Sequence, residues 1–359
     1  MNAMQQPREE NRISNRFEHF KQLDGLRGLS IILVLFGHLA DFSWGLNSPP
    51  YAFGEFAGLG VLLFFLLSGF LITGLLLNEE INTGCISLRR FYVRRVLRIM
   101  PAFYVMLGFV ILLMHLGFVT DVPLYTLPIT AFYLRDLAGR GLTLSHTWSL
   151  ALEEQFYLLW PVFLARVRCN RLLVVCLVAA VAPICRAGAF YTGTYEPWHY
   201  ARPYFWWDAI LVGCGIAIVW TCHRGALTHW SQKTNAGIVF IALILWTLVG
   251  AGSPSAEPFL RTGQVALGAL LIVNLVAGRE SLFSKILCSP VICWFGKISY
   301  SLYLWQQLFL VTKTPSWGLW RIWPIDLLCS ILLASVSYYV VERQFLRLKQ
   351  RWEPITSNV

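Results

Sequence analysis

Arg27 and His38 stand eleven positions apart in an apolar stretch that opens with L-D-G-L-R-G at 23–28. Eleven helical steps make three turns plus about 20°, so both side chains share one face, with a rise of about 16 Å between them. If Arg27 marks the cytoplasmic rim, His38 lies near mid-membrane. An ionisable residue at that depth is by default a candidate functional residue. The competing readings are a satisfied packing histidine and, for Asp24 with Arg27, a plain interfacial pair.

A second cluster is R-R-F-Y-V-R-R-V-L-R-I-M-P at 89–101. Arg94 and Arg98 are spaced i, i+4, and Arg95 and Arg98 i, i+3, so they converge on one helix surface. Guanidinium forks match phosphate oxygens bidentately, which makes a phosphate cradle. A lipid-facing amphipathic segment on anionic headgroups is the other reading. Pro101 is expected to open the span that follows.

A third cluster is S-H-T-W-S-L-A-L-E-E-Q-F-Y at 145–157. His146, Ser149, Glu153 and Tyr157 would line one helix face. A carboxylate inside a span needs a partner. Glu153 or Glu154 either closes a structural ion pair or orients and charge-balances a catalytic histidine, as an acid does in hydrolase triads. Two further stretches carry polar groups within apolar runs. In G-K-I-S-Y-S-L-Y-L-W-Q-Q at 296–307 the hydroxyls suit interhelical hydrogen bonds or a cavity wall. In 60–73, Ser68 and Gly69 are explained by close helix approach.

These residues need apolar elements to hold them, and the composition supplies little else. The 359 residues are 57% hydrophobic and 13% charged, with mean hydropathy +0.58. Soluble domains carry about 25% charge. The excess runs along nearly the whole chain, which excludes a soluble enzyme, a disordered regulator, a disulfide scaffold and a nucleic-acid module. The expected fold is all-α, a polytopic membrane helix bundle of about ten transmembrane helices. The spans are placed at about 28–46, 58–77, 101–119, 146–165, 171–189, 204–222, 236–252, 259–277, 291–311 and 325–342. The Pro-broken stretch 123–137 is read as re-entrant or interfacial.

Net charge is +10. Position decides what it means: 21 of the 29 Lys and Arg fall on the side of the N-terminus, seven on the other, and Lys297 is ambiguous. By the positive-inside rule both termini are cytoplasmic. The polar first 24 residues show no signal peptide. The nine cysteines form no C-x-x-C pair and are read as small buried residues; no metal site is expected.

Taken together, these motifs resemble the acyltransferase-3 family, membrane acyltransferases that O-acetylate bacterial surface glycans. The family's basic residue, ten intervening residues and histidine match Arg27 and His38. Its R-x-x-R matches Arg95 and Arg98, followed by Pro101, and its W-S-L-x-x-E matches Trp148, Ser149, Leu150 and Glu153. S-Y-S-L-Y-L-W at 299–305 is also family-like; the family often has His after that Trp, where this chain has Gln306, and Gln cannot titrate. Many members carry a fused SGNH hydrolase-like domain. None is expected after span ten here, so a second transfer step would need another protein. The resemblance divides the chain into a cytoplasmic N-terminal segment (1–24), a membrane acyltransferase domain (25–345) and a cytoplasmic tail (346–359), in the bacterial inner membrane.

The resemblance implies acetyl-CoA, or another acyl-CoA, as donor substrate from the cytoplasm, with no tightly bound cofactor. Arg95 and Arg98, with Arg94 in reserve, would take its phosphates, and Arg27 would bind donor phosphate or organise the His38 face. His38 would act as general base on an acceptor hydroxyl, since histidine titrates nearest neutral pH. Glu153 would hold the imidazole, and Ser149 or the Trp148 N–H would face the oxyanion. No Ser or Cys is clearly poised for a covalent acyl-enzyme, so direct transfer ranks first. The acceptor is a glycan or other hydroxyl compound, such as lipopolysaccharide or exopolysaccharide; the other partners are membrane lipids and glycan-biosynthesis machinery, with no nucleic acid. Trp198, Tyr204, Trp206 and Trp207 are read as an interfacial belt first and a sugar platform second. A different class also fits: a secondary transporter or flippase of an acylated or glycan intermediate. Transporters typically show internal repeats, and none is visible.

Overall fold

The structure, a computed structural model, describes residues 20–43, 53–137, 143–193, 206–250, 257–311, 318 and 322–351. Among these there are helices and no strands. Helix α1 (Lys21–His38) runs into a π-helical turn (Leu39–Ser43). It is followed by α2 (Glu55–Thr83), α3 (Leu88–His115) and the short α4 (Thr126–Ala131), with a 3-10 turn at Arg135–Leu137. Then come α5 (Thr147–Arg166), α6 (Arg171–Tyr191), α7 (Trp207–Ser231), α8 (Ala236–Gly250) and α9 (Glu257–Ala277). The chain closes with α10 (Leu282–Leu287), α11 (Pro290–Leu310), α12 (Ile325–Ser337), a second π turn (Tyr338–Glu342) and α13 (Arg343–Gln350).

Seven of the described helices are long and apolar enough to cross a membrane: α1, α2, α3, α6, α7, α9 and the α12–α13 unit. The expected count of ten is therefore corrected to seven on that measure. The other three expected segments are helical but differ for physical reasons. Helix α8 has 15 described residues, fewer than a span needs. Helices α5 and α11 are 20 and 21 residues long, but Glu153, Glu154, Gln155, Lys297, Gln306 and Gln307 dilute their apolar character. The stretch read as re-entrant is the α4 segment.

The basic run at 89–98 does not stand ahead of a span opened by Pro101. It forms the first turns of α3, which continues through Pro101 without ending. A membrane helix tolerates proline because neighbours take up the freed backbone groups.

Helix α2 is apolar all round and occupies the middle of the bundle, as such a helix must. Leu59, Leu62, Leu63, Leu66 and Phe70 on it are fully buried. It packs on α1 and α7, and α1 packs in turn on α11. Two of these crossings bring backbones together through paired glycines. A Cβ at Gly28 would run into the Ile292 carbonyl, and one at Gly296 into the Asp24 carbonyl. Gly69 and Gly213 stand in the same way against the carbonyls of Ile210 and Leu66. Small residues at such crossings are how membrane helices gain van der Waals contact where lipid offers no hydrophobic contrast. The outer faces carry the lipid-compatible residues, among them the exposed Leu112, Leu177, Ile238 and Leu328.

The cysteines depart from expectation. Only Cys214 is buried; Cys85, Cys169, Cys176 and Cys222 are exposed and the other four intermediate, all of them free. Cys176 lies on the outward face of α6, beside the exposed Leu177 and Val178, where an apolar thiol needs no burial in protein.

Candidate active site

The residues singled out in the sequence fall in two layers of polar groups inside the bundle; separate buried ion pairs, Arg186 with Asp208 and Arg261 with Glu55, lie outside them. The first is built on the Arg27 level of α1. Glu153 of α5 accepts a hydrogen bond from the Ser68 hydroxyl at 2.7 Å, and the Tyr157 hydroxyl donates to Ser68 Oγ at 3.1 Å. The Arg95 guanidinium of α3 lies over the Tyr157 ring, 4.7 Å from its centroid. Arg27, Arg95 and Arg98 all lie within electrostatic reach of Glu153, and Arg95 also of Glu154. Glu342, at the end of the second π turn, stands near Arg98 and Arg27 and accepts from the Ser301 hydroxyl at 2.9 Å. Three guanidinium groups thus share this layer with three carboxylates from two elements, within electrostatic reach of one another.

Arg27, Arg95, Arg98, Glu153 and Glu154 are each half-buried although helices surround them. Arg94 does not join them: it is buried and pairs with Glu79 at 3.5 Å.

The second layer lies at the other end of α1. His38 Nδ1 is 2.8 Å from Oε1 of Gln306. An amide oxygen only accepts, so Nδ1 carries the proton and Nε2 carries the lone pair. The neighbouring Gln307 holds the start of α5. Its Oε1 accepts from the His146 backbone N–H at 3.1 Å, and its Nε2 donates to Ser145 Oγ at 2.6 Å. The Tyr303 hydroxyl donates to the His146 carbonyl at 3.0 Å and lies 2.5 Å from the Ser149 hydroxyl.

This geometry rearranges several sequence-based assignments. His38 and Arg27 do belong to one polar interior, but in place of the expected hydrogen bond with Glu153, His38 Nδ1 donates to Gln306. The reason is height. Glu153 sits in the Arg27 layer, and His38 lies about 16 Å further along α1. The Ser149 hydroxyl is engaged with Tyr303 and the His146 carbonyl. Trp148 packs between Phe65 and Trp206, at centroid distances of 6.1 and 5.2 Å. Trp206 is buried beneath the Arg261 guanidinium, whereas Trp207 is exposed. Trp198 and Tyr204 lie outside the described residues.

Sequence reasoning gave Gln306, Gln307 and Glu342 no part in the site, whereas the Tyr303 hydroxyl makes the interhelical hydrogen bond expected of 296–307. Glutamine was set aside because it cannot titrate, which overlooks that a neutral amide fixes a tautomer. The signal for Glu342 was a lone carboxylate ending an apolar span.

Fold and site together define a class: an all-α polytopic membrane protein that carries an arginine–carboxylate layer and a histidine layer inside the bundle. Residues 20–341 match the family model described as Acyltransferase domain, and the chain belongs to that family, the acyltransferase-3 group. Peptidoglycan O-acetyltransferase OatA of Listeria monocytogenes is 30% identical over 363 residues, covering 90% of this chain and 55% of the relative. The Bacillus subtilis protein named "Putative peptidoglycan O-acetyltransferase YrhL" is 30% identical over 358 residues, covering 89% and 54%. A Staphylococcus aureus relative, "Putative O-acetyltransferase SACOL0978", is 27% identical over 367 residues, covering 92% and 58%. The chain spans about half the length of the curated relatives it matches. No solved structure matches it.

Proposed function

We propose that this chain is an integral membrane O-acyltransferase that moves an acyl group, acetyl in the first instance, from acyl-CoA to a hydroxyl of a carbohydrate-containing acceptor. It works in the bacterial inner membrane with both termini cytoplasmic. The relatives' names include peptidoglycan O-acetylation, so an envelope glycan is the first acceptor to try. The observation that carries the reading is His38 held by Gln306 in one layer, with an arginine layer about 16 Å away along α1.

The donor fits that arrangement. Its phosphates meet Arg95, Arg98 and Arg27 at the N-terminal end of α1. Each guanidinium has five N–H donors to offer a phosphate. The nearby carboxylates balance the guanidinium charges before the donor arrives. The thioester then reaches toward His38. Nε2 takes the proton of the acceptor hydroxyl as that oxygen attacks the thioester carbonyl. The tetrahedral intermediate collapses, the carbon–sulfur bond breaks, and the CoA thiolate takes the proton from the imidazolium. The products are the O-acyl ester and free CoA, and His38 returns to its neutral form.

The test is reconstitution of the purified protein in liposomes with labelled acetyl-CoA, following CoA release and transfer of label to an envelope glycan fraction. Wild type that neither binds nor consumes acyl-CoA overturns the reading and favours a transporter. Within the same assay, Arg95→Ala with Arg98→Ala is expected to raise the donor concentration needed for half-saturation by about tenfold or more, since charge-assisted bonds are the strong ones. Unchanged donor dependence would take the donor phosphates elsewhere.

Gln306 is expected to act on turnover rather than on donor binding. Gln306→Leu keeps the side-chain size and removes the acceptor atom. A lost orienting partner of this kind lowers activity by about ten- to hundredfold. Gln306→Glu restores an acceptor and is expected to recover most of the rate. Equal activity of the Leu and Glu variants would remove Gln306 from the mechanism.

A further inference from the structure

His146 is the buried titratable group that the proposed reaction leaves unused. It is 4% exposed. Its backbone is fixed on both sides: the N–H donates to Gln307, and the carbonyl accepts from Tyr303 and Ser149. The ring stands edge-on to Tyr303, with centroids 5.5 Å apart. Among the described residues, neither ring nitrogen makes a hydrogen bond; the Gln307 amide and the Leu304 carbonyl border the ring without reaching bonding geometry. His38 and Arg135 lie within electrostatic reach.

Placement this well determined, around a ring whose nitrogens are left unmet, is unusual, because buried polar atoms are almost always paired. A ligand that supplies hydrogen bonds removes the penalty. Position says which ligand. His146 caps the start of α5, in the His38 layer, and Glu153 in the Arg27 layer is seven residues further along the same helix, a rise of about 10 Å. The donor's charged end occupies the Arg27 layer. On the proposed reaction the His38 layer, with His146 in it, is the reacting end, where the acceptor would bind. A neutral imidazole offers one donor and one acceptor, which is what a sugar hydroxyl satisfies.

We propose that His146 is an acceptor-binding residue: a ring nitrogen holds one hydroxyl of the incoming carbohydrate while His38 takes the proton from its neighbour. This rests on the acyltransferase reading and assigns the acceptor's place within the same site. His146 gains and loses no proton in the cycle; it selects acceptors that present two adjacent polar groups.

The experiment separates acceptor-dependent from acceptor-independent CoA release, using protein in liposomes, acetyl-CoA and a titrated envelope glycan fraction. His146→Ala and His146→Phe are expected to raise the glycan concentration for half-maximal transfer by about tenfold or more, the effect of losing a buried hydrogen bond. Donor half-saturation and release without glycan are expected to stay at the wild-type level. The Phe variant keeps the ring against Tyr303 and so removes only the nitrogens, should the Ala variant fold poorly. His146→Gln, which keeps a donor and an acceptor, is expected to recover part of the loss. Wild-type glycan dependence in the Phe variant overturns the assignment. So does loss of glycan-independent release, which would set His146 at the donor. Absence of any acetyl-CoA consumption by wild type is a separate outcome, and it removes the acyltransferase reading itself.

Discussion

Alanine at position 38 is expected to lower acyl transfer by a factor of about 10² to 10⁴, the usual contribution of a positioned general base. Donor binding is expected to be unchanged, because the arginines that would take the phosphates lie about 16 Å away along α1. The expected signature is a fall in turnover with an unaltered donor half-saturation, the pattern of an interaction made only in the transition state. The Nδ1–Gln306 bond sharpens the test. His38→Gln fills the space and can still meet Gln306, yet it has no nitrogen lone pair to accept a proton. It should therefore be as inactive as His38→Ala. If both variants transfer label at the wild-type rate, the family assignment stands and the base lies elsewhere. The readout is label transfer in liposomes beside equilibrium binding of acetyl-CoA.

The second large effect is on assembly. Gly213→Val is expected to prevent formation of the folded bundle. A Cβ at this position meets the Leu66 carbonyl, and its counterpart Gly69 meets the Ile210 carbonyl. Backbone atoms on both sides cannot yield as a flexible side chain does, so the helices must separate. Overpacking costs about 1–3 kcal/mol even where side chains can move, and here the whole α2–α7 crossing is lost. The consequence reaches the site, because Ser68 adjoins Gly69 and is the hydrogen-bond donor to Glu153. Heating in detergent followed by size-exclusion chromatography measures it. Gly108→Ala is the control, since nothing lies within 4 Å of a Cβ there; it is expected to hold or raise stability, as alanine favours helix over glycine. Equal thermal profiles for Gly213→Val and wild type would show that the crossing is less tight than the carbonyl contacts require.

The membrane bundle was legible in the sequence because continuous apolar runs report directly on spans. The two helices that failed the apolar measure for polarity, α5 and α11, are the two that bring Glu153, His146, Gln306 and Gln307 to the interior. The features that mark the site are the ones that weaken the span signal. Arg27 and His38 were legible because they share one helix, and helical rise gives their separation without any fold. Glu153 was legible as an interior carboxylate, but not its partner. Spacing along one helix says nothing about its height against another, so Glu153 was paired with His38 when its neighbours are Ser68 and the arginines. Gln306 was hidden for a different reason: only a structure shows which atom an amide faces.

Gln306 and Gln307 are successive residues of a single helix, turned about 100° from one another. One holds the side chain of His38 on α1, the other the first residues of α5. The side chain of His38 and the backbone at His146 are thus held by one helix. A rotation or slide of α11 that displaced one amide would displace the other in the same movement. Partial loosening of this helix should silence the protein in a single step while the remaining helices are still in place.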